Sequence, residues 1–162
     1  MQPLIETVDL KKYFKVGSSQ LHAVDGVNLR IPKGTTLGVV GESGCGKSTL
    51  GRTILGLQPA TGGQVLYKGR DITRIRGAEQ RKLRREIQII FQDPFSSLDP
   101  RQTINQCISE PIKFNKLLKD KHAIEDRVFE LMETVGLAER LINTYPHELD
   151  GGRRQRVGIA RA

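Results

Sequence analysis

Alternating apolar and polar residues predict a first half rich in β-structure. Val27, Leu29 and Ile31 are separated by polar residues, as expected of a strand with one face on a core. The runs 35–40 and 87–91 are short and rich in apolar and β-branched residues, which is typical of buried strands. The predicted strands cover residues 4–10, 27–31, 35–40, 64–67, 71–73 and 87–91.

Helical spacing of apolar residues dominates the second half. Four apolar side chains recur on one face between residues 122 and 135, and Gly136 is a predicted C-cap for that helix. Pro111 should bend or divide the preceding helix, and Asp150 should cap the last one. The predicted helices cover residues 48–57, 79–85, 103–118, 122–135 and those from 151 onward.

A glycine-rich motif follows the strand predicted at 35–40 and leads into the next helix. It consists of Gly41, Glu42, Ser43, Gly44, Cys45, Gly46, Lys47, Ser48 and Thr49. The spacing of glycine, four residues and then Gly-Lys-Ser is that of a phosphate-binding loop, and strand, turn and helix are the context that the motif requires. A chance match in a glycine-rich turn is the alternative.

The chemistry of this loop points to a nucleotide. Gly44 and Gly46 lack a Cβ atom, so backbone N–H groups can close around phosphate oxygens. Lys47 supplies a positive charge to the β- and γ-phosphates, and the hydroxyl of Ser48 can complete the coordination of Mg²⁺.

Composition limits the class of protein. The chain has 162 residues, a net charge of +8 and two cysteines, which predict a cytosolic domain without a disulfide framework. No apolar run approaches the ~20 residues of a membrane span, and the N-terminus lacks the layout of a signal peptide. The basic run 81–85 is either a solvated helix face or a surface for a polyanion.

The order of the motifs resembles the ATP-binding subunit of ABC transporters. The phosphate loop, a predicted strand ending at Gln92, a helical segment and the run 149–156 follow in the order of that family. The stretch 91–101 is similar to the branch that imports dipeptides, oligopeptides or nickel. The resemblance implies an α/β fold: a P-loop NTPase (RecA-like) core with an antiparallel β subdomain, residues 1–92, and a helical subdomain, residues 93–162.

The resemblance also implies residue roles. Tyr13 would stack on adenine, although an aromatic residue packed within the fold is the alternative and Phe14 competes for the role. Lys47 and Gln92 would act in catalysis, and Ser48 and Gln92 would contact Mg²⁺. The signature loop would cap the ATP of a second subunit through Asp150, Gly151, Gly152 and Arg153. The expected cofactors are ATP and Mg²⁺.

The partners implied are a second ABC ATPase subunit arranged head to tail, two membrane permease subunits and, indirectly, a solute-binding protein. No nucleic-acid partner is expected, and the location implied is the cytoplasmic face of the membrane. Two other functions stay open: a nucleotide-binding module that does not hydrolyse ATP, and a soluble ABC-type protein that acts on nucleic acid. RNA binding that weakens with salt would favour the latter.

The chain departs from the family pattern at two points. Asp150 and Arg153 stand where the usual signature has serine and glutamine, and the carboxylate of Asp150 is expected to weaken the composite ATP site. The Walker B strand, with its catalytic glutamate, should follow residue 162, so the resemblance is to the N-terminal half of an ATPase subunit. We therefore expect this chain to bind ATP without hydrolysing it at a useful rate.

Overall fold

The computed structural model describes residues 2–93 and 97–162. The chain divides into two compact units, Met1–Leu83 and Arg84–Ala162. Residues 94–96, which are part of the stretch 91–101, lie outside the described residues. The functional boundary expected between residues 92 and 93 stays a prediction.

The first unit is built on an antiparallel sheet. Its strands are β1 (Ile5–Val16), β2 (Ser19–Ile31), β3 (Gly62–Tyr67) and β4 (Arg70–Asp71), in the order β2-β1-β3-β4. Strands β1 and β2 form a long hairpin in which Val16 pairs with Ser19. Gly17 occupies the turn with a φ of 61°, a conformation that glycine adopts without steric cost.

Two helices accompany the sheet, α1 (Lys47–Ile54) and α2 (Gly77–Glu86). Leu50 and Ile54 of α1 pack against the core of the first unit, whose buried members are Leu10, Val24, Val65 and Ile72. Helix α2 buries none of its side chains, because most of its residues are charged or polar.

The second unit is helical. Its elements are α3 (Ile104–Phe114), α4 (Lys121–Thr134), α5 (Gly151–Arg161) and two single turns of 3₁₀-helix, Glu139–Leu141 and Pro146–Glu148. Apolar side chains of these α-helices form one core. Its buried members include Ile104, Cys107, Ile108, Val128, Met132, Leu149, Val157 and Ala160.

Local hydrogen bonds fix the ends of these helices. Thr103 and Gln106 form a reciprocal capping box at the start of α3. Gly136 has a φ of 68°, and Leu137 N–H donates to the Met132 carbonyl, so α4 ends in a Schellman motif, as the predicted cap requires. Helix α3 continues through Pro111 and ends three residues later, so the proline does not divide it.

The strands predicted at 35–40 and 87–91 are wrong. Neither run is a β-strand, and Val39 and Val40 are 49% and 95% exposed. A strand needs a neighbour to accept and donate its backbone hydrogen bonds, and among residues 2–93 and 97–162 neither run pairs with another. An apolar composition indicates that a segment tends to be buried, but the segment forms a β-strand only if a neighbouring strand can pair with its backbone.

Within the described part of the chain, no helix has the length and apolar character needed to cross a membrane.

Candidate functional site

The glycine-rich loop precedes α1 directly, as predicted. Gly44 and Gly46 have φ angles of 81° and 96°, in the left-handed region that favours glycine. The N-cap of α1 is Gly46, which has no side chain to accept from the first N–H groups, and these groups have no acceptor within the helix. These donors and the positive end of the helix dipole suit an anion placed at the loop.

Lys47 lies across the loop that it terminates. Its Nζ donates to the carbonyl oxygens of Gly41 at 2.8 Å and Glu42 at 2.5 Å, and lies 3.6 Å from the Sγ of Cys45. The ammonium group therefore lies against the backbone at the beginning of the loop. Ser48 is exposed at the start of α1.

Close packing holds this loop against the sheet. The space beside Gly46 is filled by the carbonyl group of Ala23 in β2, which leaves no room for a Cβ atom. Gly41 is similarly close to Cys45, because a Cβ atom at Gly41 would lie 2.7 Å from the Cys45 Sγ. Gly46 is thus restricted by packing and by backbone conformation, whereas Gly41 is restricted by packing alone.

Tyr13 is half-buried and belongs to a small polar cluster. Its hydroxyl donates to Asp25 Oδ1 at 2.5 Å, and its ring stacks on His22 with the centroids 3.9 Å apart. The hydrogen bond to Asp25 raises the pKa of Tyr13, and the same bond is the main cause that lowers the pKa of Asp25. Sequence reasoning missed Asp25 and His22, because only the register of β1 and β2 brings them to Tyr13.

The signature residues lie at the start of α5. Asp150 caps this helix as predicted: its Oδ1 accepts from the Arg153 N–H at 2.8 Å, and its Oδ2 lies 3.4 Å from the Arg153 Nε. The backbone hydrogen bond from Arg153 is the main cause that lowers the pKa of Asp150. Gly151 and Gly152 are exposed in the first turn.

Gln92 is exposed, and the chain on either side of it is linked to α5. Gln155 lies 3.5 Å from the Phe91 carbonyl oxygen, and Arg161 donates to the Ser97 carbonyl at 2.5 Å. Sequence reasoning missed both contacts, which join residues 64 positions apart.

The predicted site residues fall into two groups. Tyr13 and the phosphate loop belong to the first unit, and Gln92 and the signature residues belong to the second. The described residues contain no cluster of three or more His, Cys, Asp or Glu side chains that would hold a metal ion alone. Mg²⁺ bound with a nucleotide needs only one or two protein oxygens, and the exposed hydroxyl of Ser48 fits that requirement.

Comparison with known proteins identifies the family. The profile of the ABC transporter family matches residues 24–162. The chain belongs to the ABC transporter family.

Curated relatives of this ABC protein align along nearly its whole length. The oligopeptide transport ATP-binding protein OppF of Salmonella typhimurium is 48% identical over 98% of this chain and 50% of its own length. The dipeptide transport ATP-binding protein DppF of Escherichia coli is 41% identical over 99% of this chain and 49% of its own length. The chain thus spans about half the length of these relatives.

The likeness extends to three dimensions. The ATP-binding cassette MJ0796, solved as a dimer in a post-hydrolysis state with ADP and Pi, superposes with a TM-score of 0.89. It is 31% identical, and the match covers 97% of this chain and 68% of the cassette. This match confirms the predicted fold class.

Proposed function

We propose that this ABC protein belongs to the ATP-binding subunit of a peptide importer and that its phosphate loop binds ATP. The observation that carries the proposal is the position of Lys47 Nζ over the loop carbonyls, beside the uncapped start of α1. The printed names of OppF and DppF, both peptide-transport ATP-binding proteins, support the substrate class.

Different groups of the chain would bind different parts of the nucleotide. Backbone N–H groups of the loop and of the first turn of α1 would surround the phosphates, and Lys47 would place its charge against the β- and γ-phosphates. Mg²⁺, bound through the hydroxyl of Ser48, would supply charge neutralisation between the phosphates. Tyr13 would stack on the base, and Gln92 would contact the metal or orient a water molecule.

ATP hydrolysis and transport are proposed for the whole subunit within its assembly. We expect a second ABC ATPase subunit facing this one, because the MJ0796 cassette was solved as a dimer. Residues 150–153 would then lie against the nucleotide bound by that second subunit. Two membrane permease subunits would be driven by the pair, a solute-binding protein would deliver the peptide, and the subunit would sit at the cytoplasmic face of the membrane.

Titration calorimetry with ATP and Mg²⁺ tests the proposal. The chain should bind ATP with a measurable heat, and the Lys47→Ala variant should lose at least about tenfold in affinity, because it lacks the charge that faces the phosphates. Lys82→Ala is a matched control, since Lys82 is exposed on α2. Equal affinity of the Lys47→Ala variant and the unmodified chain would contradict the proposal.

A further inference from the structure

The end of helix α3 and the link to α4 expose three large apolar side chains. Phe114 is 75% exposed, Leu117 is 59% exposed and Leu118 is 36% exposed. All three lie in the second unit, within one short stretch of the chain. A single exposed apolar residue needs no explanation, but a contiguous group is typical of a surface that contacts another molecule.

Lysines alternate with these apolar side chains. Residues 113–121, which we call the lysine-rich segment, read Lys-Phe-Asn-Lys-Leu-Leu-Lys-Asp-Lys, and all of their lysines are exposed. The acidic side chain of the segment, Asp120, accepts from the Ala123 N–H at 2.8 Å and so caps α4. Arg85 of the same unit adds a positive charge, because its Nε donates to Asn115 Oδ1 at 3.1 Å. The surface therefore carries an excess of positive charge.

The backbone holds the lysine-rich segment in a defined turn. Leu117 N–H donates to the Ile112 carbonyl and Lys116 N–H donates to the Lys113 carbonyl, both at 3.0 Å, which is a Schellman motif. Lys116 has a φ of 53°, at the position that glycine usually occupies in this motif. The residue at the position of Leu117 often packs back onto the helix, yet here it is mostly exposed. A hydrogen-bonded turn thus presents Leu117 to the outside.

We propose that the lysine-rich segment binds the surface of a membrane that contains anionic phospholipids. The lysines would contact the headgroup phosphates, and Phe114, Leu117 and Leu118 would enter the boundary between headgroups and acyl chains. The inference rests on the proposed function for the place of the protein beside a membrane. It adds the surface through which this chain itself contacts the lipid.

The mixture of lysines and apolar side chains favours a lipid surface over a protein partner. The centre of a protein–protein interface is depleted of lysine, whereas a membrane interface takes apolar side chains and lets lysines extend to the headgroups. Val39 and Val40 show one contrast, because they are exposed with no lysine between residues 34 and 46. The basic run 81–85 shows the other, because its apolar residue, Leu83, packs against the core of the first unit.

Co-sedimentation with lipid vesicles, without nucleotide, tests the proposal on the full chain. Vesicles of phosphatidylcholine are compared with vesicles in which about a third of the lipid is phosphatidylglycerol. The chain should bind the anionic vesicles at least about tenfold more tightly, and added salt should weaken that binding by screening the lysines. Lys116→Gln combined with Lys119→Gln should weaken it at least about fivefold. Phe114→Ala combined with Leu117→Ala should do the same, because less apolar area leaves water.

Two control variants make matched changes elsewhere in the chain. Arg81→Gln combined with Lys82→Gln removes the same charge from α2, and Val16→Ala combined with Leu21→Ala truncates side chains that are 59% and 56% exposed. Both should bind anionic vesicles within about twofold of the unmodified chain. Every substituted side chain is exposed, so thermal unfolding of all four variants should match that of the unmodified chain.

Equal binding to neutral and anionic vesicles, or binding to neither, would overturn the proposal and leave this surface to a protein partner such as a permease subunit. Equal losses in the control variants would also overturn it, because total charge or general apolar area would then explain the binding. A chain that binds anionic vesicles but not ATP would contradict the proposed nucleotide site and leave the lipid surface standing. A chain that binds ATP but not vesicles would refute this inference alone.

Discussion

Gly46 at the start of α1 faces the carbonyl group of Ala23 in β2 so closely that a Cβ atom would overlap with it. Its φ of 96° independently disfavours any residue with a side chain. This contact helps to place the glycine-rich loop against the hairpin. It also links the loop to the strand that carries His22 and Asp25.

The Gly46→Ala substitution should therefore displace the loop. We expect a loss of ATP affinity of about tenfold or more, together with a lower melting temperature, because both the contact and the backbone conformation are disrupted. Gly51→Ala is the matched control: Gly51 lies inside α1 with open space around it, so alanine should stabilise the helix by about 0.5–1 kcal/mol. Calorimetry and thermal unfolding of both variants test this. Normal ATP binding in the Gly46→Ala variant would contradict the assigned packing.

The two cysteines should differ in reactivity. Cys45 is exposed in the phosphate loop, whereas Cys107 is buried in the core of the second unit, where desolvation raises the pKa of its thiol to about 11. A maleimide at about pH 8 should thus modify only Cys45 in the folded chain, and ATP with Mg²⁺ should slow the reaction.

Mass spectrometry of the labelled protein gives the site directly. Cys107→Ser should leave labelling unchanged, and Cys45→Ser should abolish it. Modification of Cys107 without denaturant, or labelling of Cys45 at the same rate with and without ATP, would be inconsistent with this arrangement.

Two leucine-to-alanine substitutions in the second unit should differ in their effect on the free energy of unfolding, because one leucine is buried and the other is exposed. Leu149 is 4% exposed and belongs to the core, whereas Leu117 is 59% exposed. Leu149→Ala should lower the free energy of unfolding by about 2–5 kcal/mol, because it leaves a cavity, and Leu117→Ala should change it by less than about 0.5 kcal/mol. Denaturant titration measures both values, and similar effects at the two positions would disprove the assigned core.

Substitution of Asp150 can remove the negative charge of its carboxylate and still keep a hydrogen-bond acceptor at the N-cap of α5. Serine and asparagine also accept a hydrogen bond at the N-cap, so Asp150→Ser and Asp150→Asn should both keep α5 intact. If the carboxylate opposes the phosphates of a nucleotide on a second subunit, both variants should raise the ATPase rate of the assembled transporter by at least about twofold. An unchanged rate in both would show that Asp150 does not limit the composite site.

The sequence was most informative where structure depends on near neighbours. The glycine-rich turn directly before α1, the Asp150 cap and the Gly136 terminus were predicted correctly, because each depends on residue types a few positions apart. The predicted roles of Gln92 and the signature residues stay predictions, since they depend on a nucleotide and a second subunit.

The sequence by itself determined the glycine-rich turn and the helices, since local spacing and backbone sterics encode them, and the order of its motifs resembles the family that the comparison then showed. The tertiary structure alone decided that residues 35–40 and 87–91 form no strands, because strand formation requires a hydrogen-bonded neighbour. It alone also brought Asp25 and His22 to Tyr13, because strand register places together residues that the sequence separates.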